Sequence, residues 1–486
     1  MREPRICAVA TGRTADEMRL AREATPEADM VELRLDFMER PDVAGVLEGR
    51  TRPVIATCRA SWEGGHFSGS EPERRQILEA ALAHGAEYVD VEAAANFTPD
   101  LVRSTGGRRI VVSEHQFDSA PGDVAARFAA LEATGAEVAK VAFRASSLED
   151  MLPLFDLPAS QRENGHGRVV IAMGGAGLPS RILAARLGSL WTYVGDHVAP
   201  GQVSLTRLLE DFQFRRIAAD AALYGVVGNP IVHSRSPIMH NAGFAALGLN
   251  ATYVPLEARD APDFVRFARE TGLRGASITT PFKVSLLPYF DEIESLAQRV
   301  GAVNTLIVRD GKWIGANTDV EGFLAPLNKR IALASARAAV LGSGGAARAV
   351  AVALADRGAH VTVCARRLEA ARTIATLVNG EAGEFPPPPR SWDLLVNATT
   401  VGSTANPGNP LEDIRPDGKI VYDLVYTPAE TPLLKSARAA GCQTIGGIDM
   451  LIAQAERQFE LWVGQRPPDA LFRRASGLPV EISAQP

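Results

Sequence analysis

Cysteine is scarce in this chain: Cys7, Cys58, Cys364 and Cys442 are all there are in 486 residues, far apart and without a CxxC pair. Neither a disulfide framework nor a zinc cage is therefore expected, and the implied compartment is reducing, that is, cytoplasmic. The eight histidines are scattered, and His233 and His240 have no Cys or carboxylate at ligand spacing, so no metal is expected. No apolar run approaches the roughly 18 residues that a spanning helix needs. The opening MREPRICAVATG sets charge and proline before a short apolar stretch, so neither a membrane segment nor a targeting signal is expected. No sign of charge dominates either, with 51 Lys and Arg against 57 Asp and Glu, interspersed. That argues against a nucleic-acid partner, which would demand concentrated positive charge. What is present is 46% hydrophobic residues over a length that predicts two or three folded units.

Residues 1–217 repeat one phrase: a β-branched apolar run, a polar residue at its end, then an Ala/Leu/Arg/Glu-rich stretch at helical spacing. The runs are RICAVAT (5–11), MVELRLD (30–36), PVIATCR (53–59), EYVDVEA (87–93), RIVVSEH (109–115), VAKVAFR (138–144), VVIAMG (169–174) and LWTYVG (190–195). Helices are expected between them, for example over 72–86 and 124–136, and after them over 203–219. Eight strands alternating with helices predict an α/β fold of the (β/α)8 barrel type, whose strand C-termini converge on one catalytic mouth. At those ends stand Glu32, Arg34, Arg59, His115, Lys140 and, after the seventh strand, Arg181. Three arginines and a lysine imply a positive mouth suited to a carboxylate. Val138, Val141 and Phe143 around Lys140 predict apolar surroundings that lower its pKa, leaving an amine able to attack a ketone. His115 is suited to moving protons near neutral pH.

The phrases VELRLD (31–36), TCRASWEGG (57–65), SEHQF (113–117), VAKVAF (138–143), PSR (179–181) and APGQ (199–202), in this order, resemble a type I 3-dehydroquinate dehydratase. The resemblance implies that Lys140 forms a Schiff base, that His115 shuttles protons and that Glu63 assists the histidine. It further implies that Glu32, Arg34, Arg59, Arg181 and Gln202 hold the substrate. Val198 stands where that family has serine.

A new strand-like phrase, YGVVGNP (224–230), follows with a short junction near 217–222. A loop with Ser234 and Ser236 then leads into a helix over 237–247, with Pro237 in its first turn. GASITTPFK (275–283), GAVNTL (301–306) and ANTDVEGF (316–323) each end a strand-like stretch with small polar residues: Thr279 and Lys283, Asn304, Asp319. Lys283 and Asp319 could serve as a proton-transfer pair or as an ordinary ion pair. In AAVLGSGGAARAV (338–350), Gly342, Gly344 and Ala347 fit GxGxx[GA] between an apolar strand and an Ala-rich helix, the setting of a dinucleotide site. The next strand, HVTVC (360–364), ends in Arg366 and Arg367 rather than an acid, which favours the 2′-phosphate of NADP over NAD.

Together with NATTVGS (397–403), IVYDLVYTP (420–428) and the amphipathic GGIDMLIAQAERQFELW (446–462), these phrases resemble shikimate dehydrogenase. That resemblance implies a catalytic pair of Lys283 and Asp319, and substrate contacts from Ser234, Ser236, Thr279, Asn304, Tyr426 and Gln454. It implies an NADP site lined by Gly342, Ser343, Gly344, Gly345, Ala346, Arg366, Leu424 and Gly447. Ser277 stands where many members have Asn.

The expected organisation is a barrel over 1–218 and a substrate-binding domain over 222–325 completed by 447–475. A Rossmann domain over 326–446 would complete the chain. The whole resembles the plant fusion of the two activities. It would dehydrate 3-dehydroquinate and reduce the product, 3-dehydroshikimate, to shikimate with NADPH. The alternatives are a second half that prefers quinate or NAD, and one half that serves as a non-catalytic module.

Overall fold

The β-branched runs of the first half become strands where their alternation predicts. In the computed structural model, which describes residues 3–157, 166–195, 201–231, 233–328, 330–412 and 414–477, they are β1 (Arg5–Ala10), β2 (Met30–Arg34), β3 (Val54–Thr57) and β4 (Tyr88–Glu92). They continue as β5 (Ile110–Gln116), β6 (Val138–Arg144), β7 (Gly167–Met173) and β8 (Trp191–Val194). The sheet order is β7-β6-β5-β4-β3-β2-β1-β8, and β1 pairs in parallel with β8, setting Cys7 opposite Tyr193. Between β7 and β8 a single bridge, Arg168 to Ser189, and the bond from Leu190 N–H to Arg168 O at 2.9 Å bring the circle almost to closure. Alternate residues point inward, so Cys7, Met30, Ile55, Val111, Val138, Val169, Ile171 and Trp191 pack as the barrel's own core.

The helix expected over 203–219 is instead two short pieces, Leu205–Glu210, capped by the Ser204 side chain, and a 3-10 turn at Phe214–Arg216. Gln213 between them has φ of +50°, a left-handed conformation that an α-helix cannot continue through.

Beyond lie β9 (Ala222–Gly228), β10 (Ala251–Glu257), β11 (Gly275–Ile278), β12 (Glu292–Ile293), β13 (Thr305–Arg309) and β14 (Lys312–Ala316). They form a sheet in the order β10-β9-β11-β13-β14-β12, with β13 antiparallel to both β11 and β14. The last sheet comprises β15 (Arg337–Leu341), β16 (His360–Cys364), β17 (Glu381–Gly383), β18 (Leu394–Asn397), β19 (Ile420–Asp423) and β20 (Gln443–Gly446). It is parallel in the order β17-β16-β15-β18-β19-β20, the doubly wound order in which direction reverses between the first and fourth strands.

Two compact units result. One comprises Met1–Gly225, Asn229–Asn241 and Leu249–Leu273; the other comprises Val226–Gly228, Ala242–Gly248 and Arg274–Pro486. Among the described residues no helix is long and apolar enough to cross a membrane.

Candidate active sites

The period of two that builds the barrel core also places its polar groups. Glu32 on β2, Asp90 and Glu92 on β4, Ser113 and His115 on β5 and Lys140 on β6 share the inward set, toward the C-terminal ends of their strands. One cavity is lined by Glu32, Arg34, Arg59, Glu63, His115, Lys140, Arg181, Tyr193 and Gln202, so every barrel residue singled out from the sequence meets there. Lys140 Nζ donates to Asp90 Oδ2 at 2.8 Å and lies 3.7 Å from Glu32 Oε1. His115 Nδ1 lies 2.8 Å from Glu63 Oε1, which also accepts the His115 backbone N–H at 2.9 Å. Arg59 donates to Asp90 at 2.7 Å, Glu92 at 3.0 Å and Ser113 at 2.8 Å, and Arg34 grips Asp36 through two bonds of 2.9 and 2.8 Å.

Burial, reinforced by the cations Arg59 and Lys140, holds His115 well below the ordinary imidazole range. Burial also lifts Glu63 to about 8 against the pull of Arg59. For Asp90 burial works the other way from its neighbours, and Arg59 with Lys140 keeps it firmly ionised. The positive mouth expected from sequence is thus largely neutralised, because Arg34, Arg59 and Lys140 each face a carboxylate. Arg181 is different. It is 2% exposed, burial lowers it to about 10, and its Nε has no hydrogen-bond partner among the described residues. An unpaired buried guanidinium costs much unless an anion joins it, so the cavity's net attraction for a carboxylate centres there.

The apolar shell expected around Lys140 is not found. Val141 and Phe143 have the opposite parity on β6 and face away, leaving Val138 and Ala142 as its inward strand neighbours. The amine instead meets the carboxylates of Asp90 and Glu32, and the face of the Tyr193 ring lies 4.5 Å away. Sequence reading missed Asp90, Glu92, Asp36 and Tyr193. The signal was present in EYVDVEA, where two acids alternate within an otherwise apolar strand.

In the second unit Lys283 lies in a short helix, Phe282–Ser285, just after β11, and Asp319 opens the helix Asp319–Leu324. Lys283 Nζ donates to Asp319 Oδ2 at 2.5 Å, and Asn304 Nδ2 donates to Asp319 Oδ1 at 2.8 Å. Gln454 Oε1 is 3.4 Å from Asn304 Nδ2. Thr279 ends β11's run, its N–H bonded to Val227 O at 2.9 Å. Tyr426 follows β19 in a half-buried loop. Ser234 and Ser236 belong to the first unit, where Ser234 Oγ accepts the Ser236 N–H at 3.2 Å. Gln458, unflagged in the sequence, accepts from Ser277 Oγ at 2.6 Å and donates to Asn304 O at 2.9 Å. Its position one helical turn after Gln454 was the available clue.

The glycine phrase has the shape of a phosphate cradle. Gly342 has φ of +117°, and Gly344, at the N-cap of the helix Gly345–Asp356, has open space where a side chain would project. A Cβ on Gly345 would lie 2.9 Å from Lys283 Cβ, which sets this helix N-terminus beside the Lys283–Asp319 pair. Ser343 and Ala346 are half-buried in the same turn, and Arg366 and Arg367 are exposed just beyond β16. A Cβ on Gly447 would lie 2.1 Å from Leu424 O, so glycine lets those two segments touch. The open space at Gly344, the helix N-terminus it caps and two guanidiniums past the second strand fit a dinucleotide carrying an extra phosphate.

Residues 6–218 match the family model of type I 3-dehydroquinase. Residues 226–306 match that of the shikimate dehydrogenase substrate binding domain, and 447–475 that of the shikimate 5′-dehydrogenase C-terminal domain. The class is therefore an enzyme in which a dehydroquinase barrel, a lyase, is joined to a shikimate dehydrogenase, an oxidoreductase. A bifunctional 3-dehydroquinate dehydratase/shikimate dehydrogenase of Arabidopsis thaliana, named as chloroplastic, is 32% identical over 504 residues, covering 96% of this chain and 83% of its own. A shikimate dehydrogenase (NADP(+)) of Carboxydothermus hydrogenoformans is 35% identical over 282 residues, 54% of this chain and 99% of its own. A solved shikimate dehydrogenase in complex with NADP+ superposes with a TM-score of 0.50 at 34% identity, covering 54% of this chain and 96% of that one. The chain belongs to the bifunctional 3-dehydroquinate dehydratase/shikimate dehydrogenase family.

Proposed function

We propose that the barrel cavity dehydrates 3-dehydroquinate to 3-dehydroshikimate through a Schiff base on Lys140, and that the Lys283–Asp319 pair serves the reduction of that product to shikimate with NADPH. The observation that carries the first half is one cavity holding Lys140, the His115–Glu63 pair and Arg181, whose Nε has no hydrogen-bond partner among the described residues. Arg181, with Gln202, takes the substrate carboxylate; Glu32, Arg34 and Arg59 order its hydroxyls. Lys140 Nζ gives up a proton and adds to the C3 ketone, and loss of water leaves an iminium. That positive nitrogen acidifies C2, and His115 removes the proton. The resulting enamine expels the C1 hydroxyl, which leaves as water with a proton returned by His115. Hydrolysis of the imine then frees product and lysine.

For the second reaction, Gly342, Ser343, Gly344, Gly345 and Ala346 would hold the pyrophosphate, Arg366 and Arg367 the 2′-phosphate, and Leu424 and Gly447 the remainder of NADP. NADPH supplies the hydride when bound. Lys283 supplies the proton to the forming hydroxyl, Asp319 fixes its ammonium, and Asn304 in turn fixes Asp319. Ser234, Ser236, Thr279, Tyr426 and Gln454 complete the proposed shikimate contacts. The absence of an acid after β16 favours NADP over NAD, and with it the biosynthetic direction. The proposed domains are those expected from sequence, a barrel over 1–218, a substrate-binding domain over 222–325 with 447–475, and a Rossmann domain over 326–446. The proposed location is the cytoplasm, supported by four buried cysteines that are all free.

Borohydride reduction in the presence of 3-dehydroquinate should label the wild-type protein and leave Lys140→Ala unlabelled; label that persists in the variant refutes the Schiff-base assignment. Lys283→Ala and Asp319→Ala should each abolish NADPH oxidation by 3-dehydroshikimate while sparing dehydration. Turnover like wild type in either refutes the pair.

A further inference from the structure

We propose that Tyr193 is a further substrate-binding residue of the barrel cavity, its phenolic hydroxyl donating a hydrogen bond to an oxygen of bound 3-dehydroquinate. The inference rests on the dehydratase reading and extends its contact set to β8, a strand from which sequence analysis had singled out no residue. Tyr193 points into the barrel opposite Cys7 and lines the same cavity as Lys140, His115 and Arg181. The Lys140 ammonium lies 4.5 Å from its ring centroid, so a substrate bonded to Nζ is held beside that ring.

The ring packs as a core aromatic with Cys7, Met173 and Trp191, and phenylalanine would fill that role equally well. The hydroxyl is what needs an explanation. It is buried, on a residue 4% exposed, and has no hydrogen-bond partner among the described residues. The Trp191 indole lies beside it on the same inward face, and Trp191 Nε1 too has no hydrogen-bond partner among the described residues. A buried hydroxyl left unsatisfied destabilises the fold, and such groups in native proteins have a partner or a functional reason. Arg181, which lines the same cavity, also has an unpartnered donor among the described residues, its Nε. Two idle donors flanking a nucleophilic lysine describe a half-made site for a molecule rich in acceptor oxygens. 3-Dehydroquinate, with a carboxylate, a ketone and several hydroxyls, is such a molecule.

Tyr193→Phe in the full-length protein separates the ring from the hydroxyl. Dehydration is followed by the absorbance of the enone product without NADPH, and thermal melting is recorded without ligand. The expected result is a KM for 3-dehydroquinate raised roughly 3- to 10-fold, the loss of one substrate hydrogen bond. The ligand-free melting temperature should be unchanged or higher, because the variant no longer buries an unpaired hydroxyl. An unchanged KM overturns the proposal. So does a lowered ligand-free melting temperature, whatever the kinetics, because that assigns the hydroxyl to the protein's own framework or to a bound water shared with Trp191. The dehydratase reading fails separately, if the wild-type protein itself gives no enone.

Discussion

His115 and Glu63 share one oxygen contact, and that contact decides which imidazole nitrogen is free. With Glu63 ionised, Nδ1–H donates to it and the Nε2 lone pair faces the cavity as a base; with Glu63 protonated the arrangement reverses. Burial lifts Glu63 to about 8, so dehydratase kcat should climb with pH through the neutral range, with an apparent pKa belonging to the pair. Glu63→Gln cannot ionise and should lose that rising limb along with roughly 10²-fold or more in kcat, the scale of a general-base contribution; a pH–rate profile retaining the limb would exclude the assignment. Stability carries the opposite sign. Because the folded pKa is raised from 4.5 to about 8, the native protein keeps a proton that the unfolded chain releases. Glu63 therefore weakens the fold progressively as pH rises across that window. Glu63→Gln lacks this titration, and its unfolding free energy relative to wild type, read from denaturant titrations, should increase from pH 5 to pH 8 by at most about 1.4 kcal/mol per pH unit. Asp90 makes a companion case. It pairs with both Arg59 and Lys140 at 0% exposure, so Asp90→Asn should cost the barrel about 3–5 kcal/mol in denaturant titrations, as breaking a buried pair does.

At the scale of elements, the helix Gly345–Asp356 offers a clean separation of binding from folding. Gly344 has a negative φ of −89° and open space where a Cβ would project. Gly344→Ala should leave melting within about 0.5 kcal/mol of wild type, as substitutions touching nothing do. It should nevertheless raise the KM for NADPH, because the added methyl occupies the pyrophosphate's approach to the helix N-terminus. Dehydration should be untouched. A variant whose NADPH KM equals wild type would move the cofactor elsewhere. The same scale shows what was legible beforehand. All eight barrel strands and the strand–glycine–helix unit at β15 were readable from alternation and turn residues, because local patterning determines them. The break at Gln213 was not, since nothing in its neighbourhood demands a left-handed residue. The run around Lys140 points to apolar neighbours, whereas parity on β6 turns Val141 and Phe143 away and its acidic neighbour Asp90 comes from a strand 50 residues earlier. Long-range pairing of this kind leaves no mark on the local sequence.

At the scale of the molecule, the family matches divide the chain near residue 218, yet the first compact unit continues through Asn229–Asn241 and Leu249–Leu273. The reason is visible in Asp263, on the helix Ala261–Glu270. It is 0% exposed, and its carboxylate accepts the backbone N–H groups of Leu148 at 3.1 Å and Glu149 at 2.9 Å, at the start of a 3-10 turn after β6. Arg259 N–H adds a third bond at 2.8 Å, and Arg186 Nη2 donates to Thr271 O at 2.7 Å. Those two orphan amides of the barrel are thus satisfied by a residue more than 100 positions later. Removing a carboxylate that accepts several buried N–H bonds leaves the donors unsatisfied, at about 1–3 kcal/mol each. Asp263→Ala in the full chain should therefore shorten the half-life of dehydratase activity on heating, although the residue lies outside the matched dehydroquinase segment. NADPH-dependent turnover measured at a permissive temperature should change less. A chain ending at residue 220 should lose dehydratase activity at a lower temperature than one ending at residue 273, which retains Asp263 and Thr271. Equal inactivation temperatures for the two would show that the barrel stands without those contacts.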